Sequence, residues 1–140
     1  MKTKGVILLV AFISAVVGII GCQTKQTQNE PIPAEPDYQD STQWYVNNRQ
    51  GVADIFYIIS TETGDYVLPN GETCHYADTY ADSLRIPLYG EMLGVDTLLS
   101  GRLNYYSPYY RQCSLQSFES DSLKSARFPL ALGDVRRAFS

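Results

Sequence analysis

Beyond the first 22 residues, the apolar positions form one run that stands out from its surroundings, at residues 53–60. Within it, the five positions from Ile55 to Ile59 are all β-branched or aromatic. Such residues favour a β-strand, and an unbroken apolar run indicates a strand that is covered on both faces. Strands of that kind belong to parallel sheets with helices above and below, so the pattern predicts an α/β fold.

The pattern after this strand predicts one further strand and several helical segments. Residues 78–101 have the pattern of a broken helix that Pro87 interrupts. A second strand is predicted at residues 102–107, and a strand, a helical crossover and a strand form a right-handed parallel βαβ unit. Residues 120–128 are predicted to be helical, and Pro129 is predicted to open a last helix.

The predicted fold class is therefore α/β, with an incomplete parallel sheet in βαβα order. A short apolar patch at residues 44–46 adds a small strand before the main one. Two parallel strands with their helices cannot cover a strand as apolar as residues 55–59 on both faces and both edges. We therefore expect the chain to be a truncated part of a larger α/β domain.

The first 21 residues have the layout of a secretory signal peptide. Lys2 and Lys4 give a positive start, and the apolar run at residues 6–20 is shorter than the ~20 residues that a membrane-spanning helix needs. The run ends in Ile-Ile-Gly-Cys at residues 19–22, which resembles the bacterial lipobox. In that resemblance cleavage precedes Cys22, whose thiol carries the lipid and anchors the chain to a bilayer. The alternative is an ordinary signal peptide followed by a chance cysteine.

The composition after the predicted cleavage site indicates where the domain begins and which class of partner is excluded. Residues 22–43 are rich in Gln, Thr, Asn, Glu and Pro, which predicts a disordered linker before a domain at residues 44–140. Without the leader, nine basic and fifteen acidic side chains remain, and the largest basic cluster is Arg136-Arg137, so we expect no nucleic-acid partner. The non-acidic Gln23 after the cysteine resembles sorting signals for the outer membrane of a bacterial envelope.

Two cysteines remain beyond Cys22, and two interpretations of them stay open. An even number of cysteines in an exported, oxidising setting suggests a disulfide between Cys74 and Cys113. Such a bond would close a loop of about 40 residues and could add ~3–4 kcal/mol of stability. The alternative is two buried thiols.

Candidate catalytic and metal-binding groups are few, and we expect no catalytic residue, metal or other cofactor in this chain. His75 is the only histidine, and no glycine is followed two residues later by serine, so a nucleophile elbow is absent from the sequence. A thiolate pair of Cys113 with His75 is a minor alternative. His75, Asp78 and Asp82 fall at i, i+3 and i+7 and would align on a helix as metal ligands, although an aspartate-rich helix N-terminus explains the same residues.

The aromatic residues offer one more type of site, a surface for glycans. All eleven tyrosines lie between Tyr38 and Tyr110, and tyrosine rings can stack on sugars. Alternation within the two Tyr-Tyr pairs sends one ring inward and one outward, so we expect at least half of the tyrosines in the core. Arg111, next to Tyr110, is interpreted as a structural ion-pair partner of Asp134 and not as a substrate clamp.

Four segments carry a resemblance to a known family. They are Trp-Tyr at residues 44–45, Ala-Asp-Ile-Phe-Tyr at 53–57, Tyr-Ser-Pro-Tyr-Tyr-Arg-Gln at 106–112, and Gly-Asp-Val-Arg-Arg-Ala-Phe at 133–139. Together they resemble bacterial domain-of-unknown-function family number three thousand and eighty-nine, whose members are similar to α/β-hydrolases and in some cases carry lipoprotein signals. The resemblance covers roughly residues 44–140.

The resemblance implies that residues 53–60 form the third strand of an α/β-hydrolase fold and residues 102–107 the fourth. Ser60 and Thr61 would then open the loop that supplies an oxyanion-hole N–H, and the last helix would precede the strand that delivers the nucleophile. The family's nucleophile elbow, acid and histidine have no counterparts among these residues. The resemblance thus implies that the chain is the N-terminal part of a lipoprotein similar to serine esterases, and that residues 44–140 are catalytically silent by themselves.

The alternative function belongs to a different class, a complete binding module. In that hypothesis a Cys74–Cys113 disulfide staples the domain, and tyrosines hold glycan or other envelope material. The first hypothesis assigns serine-nucleophile acyl transfer to the intact relative, whereas the second assigns binding to this chain itself.

Overall fold

The computed structural model describes residues 29–99 and 103–140 of the chain. Within these ranges the elements are, in chain order, a 3-10 turn Ser41–Gln43, β1 Trp44–Asn47, β2 Asp54–Phe56, β3 Tyr66–Val67, β4 Thr73–Cys74, α1 Asp82–Leu98, β5 Asn104–Pro108, a 3-10 turn Leu115–Phe118 and α2 Asp121–Phe139. The predicted signal peptide and Cys22 lie outside the described residues. Among residues 29–99 and 103–140, neither α1 nor α2 combines the length with the apolar composition of a transmembrane helix.

The main sheet has three strands in the order β1-β5-β2. The central strand, β5, pairs in parallel with β2, where Ile55 lies opposite Tyr105. It pairs antiparallel with β1, where Trp44 lies opposite Pro108. The predicted parallel pair of strands with a helix in its crossover is therefore confirmed, but the antiparallel β1 makes the sheet mixed and not wholly parallel. β3 and β4 form a separate antiparallel hairpin.

The main strand is shorter than the apolar run predicts, and proline explains where it stops. The parallel ladder continues one bond past β2, from Tyr57 N to Tyr106 O at 2.9 Å. The next bond would join the Tyr57 carbonyl to the N–H of residue 108, which is proline and has none. The Ser107 hydroxyl donates to that carbonyl instead, at 2.8 Å. Residues 58–60 consequently leave the sheet, and Ile58 is exposed, so the run is not covered on both faces along its length.

Both helices run through a proline, whereas the sequence predicts a break at each. Pro87 lies inside α1 and Pro129 inside α2. Each proline removes one hydrogen bond to the carbonyl four residues earlier, which belongs to Ser83 in α1 and Ser125 in α2. All four residues are exposed, so water can satisfy the freed carbonyls and the helices need not end.

The core is built around Tyr105, the middle residue of the sheet pairing, which is fully buried. Leu88 and Met92 of α1 pack in the same cluster. The ring of Tyr105 contacts the rings of Tyr45 and Tyr57, with centroids 5.5 and 5.8 Å away. The sheet therefore buries aromatic side chains where a typical α/β core buries aliphatic ones.

Residues 29–43, here called the N-terminal segment, lie against the domain, although their composition predicts part of a disordered linker. Glu30 pairs with Arg127 of α2 at 2.7 Å. Arg111 donates to the Pro33 carbonyl at 3.1 Å. The structure differs from the linker prediction because charged groups roughly 80 to 100 positions further along the chain bind this segment, and local composition does not register such contacts.

The predicted ion pair between Arg111 and Asp134 is confirmed. The guanidinium donates from Nη2 to Oδ1 at 2.7 Å and from Nε to Oδ2 at 2.9 Å. The backbone N–H of Arg111 also donates to Oδ2, at 2.9 Å. Asp134 is fully buried, so the carboxylate depends on these donors and on Arg137 for all of its hydrogen bonds.

We expect Asp134→Asn to lower the free energy of unfolding by about 3 kcal/mol, because the buried Arg111 guanidinium loses its buried carboxylate and keeps only the exposed carboxylate of Glu35, 3.4 Å away. Urea denaturation should show a lower midpoint with an unchanged slope. The matched control is Asp121→Asn in the same helix, whose exposed carboxylate pairs with Lys124 and should contribute less than about 1 kcal/mol. Equal midpoints for the two variants would contradict the structural role of the buried pair.

The attachment of the N-terminal segment should depend on pH through Glu30. The hydrogen bond from Arg127 holds the pKa of Glu30 below its ordinary value of 4.5. The bond's contribution is therefore complete above pH 4.5 and is lost as the pH falls through the lowered pKa of the folded state. Because the Glu30 carboxylate is partly exposed, Glu30→Gln should weaken attachment at pH 7 by about 1 kcal/mol.

Amide hydrogen exchange of residues 31–43, compared between wild type and Glu30→Gln at each pH, measures this effect. The ratio of the exchange rate in Glu30→Gln to the rate in wild type should exceed one at pH 7 and approach one in acid. The exposed Glu119→Gln serves as the control and should give a ratio near one throughout. A Glu30→Gln ratio that does not change with pH would refute the assignment.

Candidate functional site

An apolar groove of about 300 Å³ lies where residues 58–61 leave the sheet, beside α2. One wall comes from α2, through Phe128, Ala131, Leu132 and Val135. The opposite wall comes from the segments that follow β2 and β5, through Ile58, Thr61, Tyr110 and Cys113. The groove thus lies beyond the carboxyl ends of two parallel strands, the usual location of ligand sites in open α/β sheets.

Two side chains that follow β5 hold the loop at the mouth of the groove. The Tyr110 hydroxyl donates to the Ile59 carbonyl at 2.8 Å. The Gln112 amide nitrogen donates to the Ser60 carbonyl at 3.0 Å, and its oxygen accepts from the N–H groups of Glu62 and Thr63 at 2.6 and 3.1 Å. Both side chains are buried, so the hydrogen bonds that hold the loop are shielded from water.

Ser60, one of the two predicted oxyanion-loop residues, points to α1 and not into the groove. Its N–H donates to Glu91 Oε1 at 3.2 Å and its hydroxyl donates to Glu91 Oε2, 2.9 Å away. The same carboxylate accepts from the Tyr57 hydroxyl at 2.8 Å. Burial raises the pKa of Glu91, but these hydrogen bonds outweigh it and leave the pKa below its ordinary value. The Ser60 N–H therefore binds a carboxylate already, and of the predicted pair only Thr61 lines the groove.

The cysteines form two separate buried thiols, the alternative to the predicted disulfide. Cys74 lies on the hairpin with its sulfur 3.5 Å from the carbonyls of Pro31 and Tyr76. Cys113 lines the groove, and burial raises the pKa of its thiol. Since the thiolate is the nucleophilic form, Cys113 is a poor nucleophile in this environment.

His75 belongs to neither of the arrangements that the sequence suggested for it. Its Nδ1 lies 2.8 Å from Asp65 Oδ1, so Asp65, not Cys113, partners the ring. Asp82 begins α1 while His75 follows β4, so a common helix face with Asp78 is wrong. Within the described ranges, no group of three His, Cys, Asp or Glu residues could hold a metal ion.

A second buried carboxylate, that of Asp96 in α1, has a structural role. Arg49 donates to it through both terminal nitrogens, and Tyr45 and Asn47 donate at 2.8 and 3.0 Å. The hydrogen bonds from Arg49 are the main cause that lowers the pKa of Asp96 to about 2. Every donor comes from β1 or the residues just after it, so this carboxylate joins β1 to α1 and has no free position for a substrate.

Most of the tyrosines are buried or half-buried. All eleven lie in the described ranges, and only Tyr80 and Tyr89 are exposed. The Tyr80 hydroxyl accepts from Asp37 N and donates to the Glu35 carbonyl, so it attaches the N-terminal segment. Tyr76, Tyr105, Tyr109 and Tyr110 are buried, and the partly buried Tyr45 and Tyr57 pack against the core, so at least half of the tyrosines lie there as expected. The predicted alternation is wrong for Tyr109 and Tyr110, which are both buried.

Sequence reasoning missed the groove and the role of Gln112. The spacing of residues 128, 131, 132 and 135, at i, i+3, i+4 and i+7, could have identified one apolar face of α2. The predicted break at Pro129 hid that face, because it divided these residues between two helices. The contacts of Gln112 join positions about 50 apart and have no local signal.

The chain matches no protein-family model, and comparison with curated proteins and with solved structures also gives no match.

Proposed function

We propose that this protein is a lipid-anchored lipoprotein of the bacterial envelope whose domain corresponds to the N-terminal part of an α/β-hydrolase-like domain. In this proposal Cys22 carries the lipid, the bilayer is the partner, and the groove is the part of a ligand cleft that these residues provide. Intact relatives would be serine hydrolases similar to esterases, and the residues of this chain would be catalytically silent.

The strand order is the observation that carries the proposal. In α/β-hydrolases the fourth strand lies between the second and the third, parallel to the third and antiparallel to the second. Here β5 lies between β1 and β2, parallel to β2 and antiparallel to β1. Assigning β1, β2 and β5 as the second, third and fourth strands accounts for both the order and the directions.

The position of the groove supports the same assignment. In that fold the loop after the third strand contributes to the oxyanion hole, and the nucleophile follows the fifth strand nearby. The corresponding loop here is residues 60–63, and Thr61 lines the groove. A fifth strand would pair with β2, whose outer edge has no partner strand among the described residues.

The side chains near the groove support catalytic silence. A serine nucleophile needs a base that is close to neutral in pKa, and the carboxylate bonded to Ser60 is a weak base because the pKa of Glu91 is lowered. The imidazole of His75 does not line the groove. The thiol of Cys113 stays protonated because burial raises its pKa.

The binding-module alternative has less support. It needs a disulfide between Cys74 and Cys113, which are free in the structure. It also needs exposed tyrosines, and the two that are exposed do not adjoin the groove. No specific observation favours glycan binding over the hydrolase-like assignment.

Replacing Cys22 tests the anchor. Wild-type protein expressed in a bacterium should fractionate with membranes and incorporate labelled palmitate, because several acyl chains on one residue hold a protein stably to a bilayer. Cys22→Ser should lose the label and leave the membrane fraction. The matched control, Cys113→Ser, also removes one thiol and should behave as wild type. Equal labelling of Cys22→Ser and wild type would refute lipidation at this position.

Ester hydrolysis tests the silence of the chain. Purified protein should not hydrolyse p-nitrophenyl esters above the buffer rate, since the carboxylate bonded to Ser60 is a weak base and burial keeps the Cys113 thiol protonated. Ser60→Ala and His75→Ala should leave the measured rate unchanged. Turnover that either substitution abolishes would contradict both the silent state and the roles given to these residues.

The coding sequence beyond the codon for Ser140 tests the hydrolase-like assignment directly. An in-frame continuation that encodes Gly-x-Ser-x-Gly would supply the nucleophile elbow. A stop codon directly after Ser140 would favour the binding module instead.

A further inference from the structure

The ordered N-terminal segment shortens the distance between the lipid and the domain. If residues 22–43 were all flexible, an extended chain would allow the domain to move up to about 80 Å from Cys22. Because Glu30 is fixed to Arg127, only the residues between positions 22 and 30 can span the gap. They allow about 29 Å at full extension. The domain surface nearest to Glu30 is therefore held close to the bilayer.

The chain joins the domain between the β3–β4 hairpin and the 3-10 turn Leu115–Phe118. On one side, the Pro31 carbonyl lies 3.5 Å from the sulfur of Cys74 in β4. On the other side, Arg127 binds both Glu30 and, at 3.1 Å, the Ser117 hydroxyl of the turn. The hairpin and the turn are themselves joined, because Asp65 N donates to the Gln116 side chain at 3.0 Å.

Apolar side chains are exposed on all three parts that meet here. They are Ile32 of the N-terminal segment, Val67 of the hairpin, and Leu115 and Phe118 of the turn, each about half exposed or more. Single exposed apolar side chains are common on protein surfaces and need no explanation. These four belong to the three parts that meet where the N-terminal segment reaches the domain, and that shared location distinguishes them.

We propose that this anchor-side surface, made of Ile32, Val67, Leu115 and Phe118, lies against the lipid bilayer and inserts into its interfacial region. The inference rests on the proposed lipidation of Cys22. Four separate side chains would bind lipid weakly by themselves, but a short tether keeps their local concentration at the bilayer high. The acidic balance of the mature chain favours a bilayer of zwitterionic lipids over an anionic one.

Fluorescence of the full acylated chain in phosphatidylethanolamine–phosphatidylcholine vesicles tests the proposal. An environment-sensitive label is attached to Val67→Cys or to Leu115→Cys. The native Cys74 and Cys113 are buried and remain unlabelled. The matched control is Ile86→Cys on α1, which is as exposed as Val67 but makes none of the contacts described around Glu30. Mass spectrometry first establishes that Cys22 is acylated.

Labels at positions 67 and 115 should emit at shorter wavelength and be quenched by lipid-borne quenchers several-fold more than the label at position 86. Equal quenching at all three positions in an acylated chain would overturn the proposal and leave the lipid anchor intact. A chain without acyl mass would overturn the anchor and this surface together. If the label at position 115 is shielded from water in a dimer of the protein but is not quenched by lipid-borne quenchers, the proposal is overturned and the surface contacts a second copy of the chain.

Discussion

The buried ion pair of Arg111 and Asp134 is the contact on which the arrangement of the domain depends. It joins the segment after β5 to α2 and, through the Pro33 carbonyl, to the N-terminal segment. Removing two charges from water costs more than their attraction returns unless the remaining hydrogen-bonding groups are satisfied. Here the carboxylate accepts from the side chain and backbone of Arg111 and from Arg137. The main effect of the pair is therefore to fix the orientation of α2 about its own axis, and its net contribution to stability is secondary.

The groove follows from that rotation. Asp134 and Arg127 are seven positions apart and lie on one face of α2, where both are buried in ion pairs. Successive helix positions turn by about 100°, so residues 128, 131, 132 and 135 form the neighbouring face. That face meets the segments after β2 and β5. If α2 turned by one position, its charged face would enter the groove and Asp134 would move away from Arg111, so the ion pair and the groove depend on each other.

Part of this arrangement could be predicted from the sequence, and the rest could not because it depends on contacts between residues far apart in the chain. The apolar run at residues 53–60 and the segment at 102–107 were enough to predict a parallel pair, because β-propensity and a long crossover are local properties. The end of β2 could not be predicted in this way, because it depends on Pro108 of the neighbouring strand β5 lying in register with the residues that follow β2. The order of the N-terminal segment was hidden for the same reason: its polar, proline-rich composition is typical of disorder, and only distant Arg111 and Arg127 hold it.

The loop after β2 separates polar from apolar surroundings, which limits the chemistry of the groove. Neighbouring residues on an extended chain point to opposite sides, so Ser60 meets Glu91 on α1 while Thr61 meets the groove. Turning the Ser60 N–H toward the groove would break its bonds to Glu91 and those that Gln112 makes to the same loop. An apolar lining also disfavours charged nucleophiles, as the raised pKa of Cys113 shows. The described part of the chain therefore shapes a groove suited to holding an apolar group.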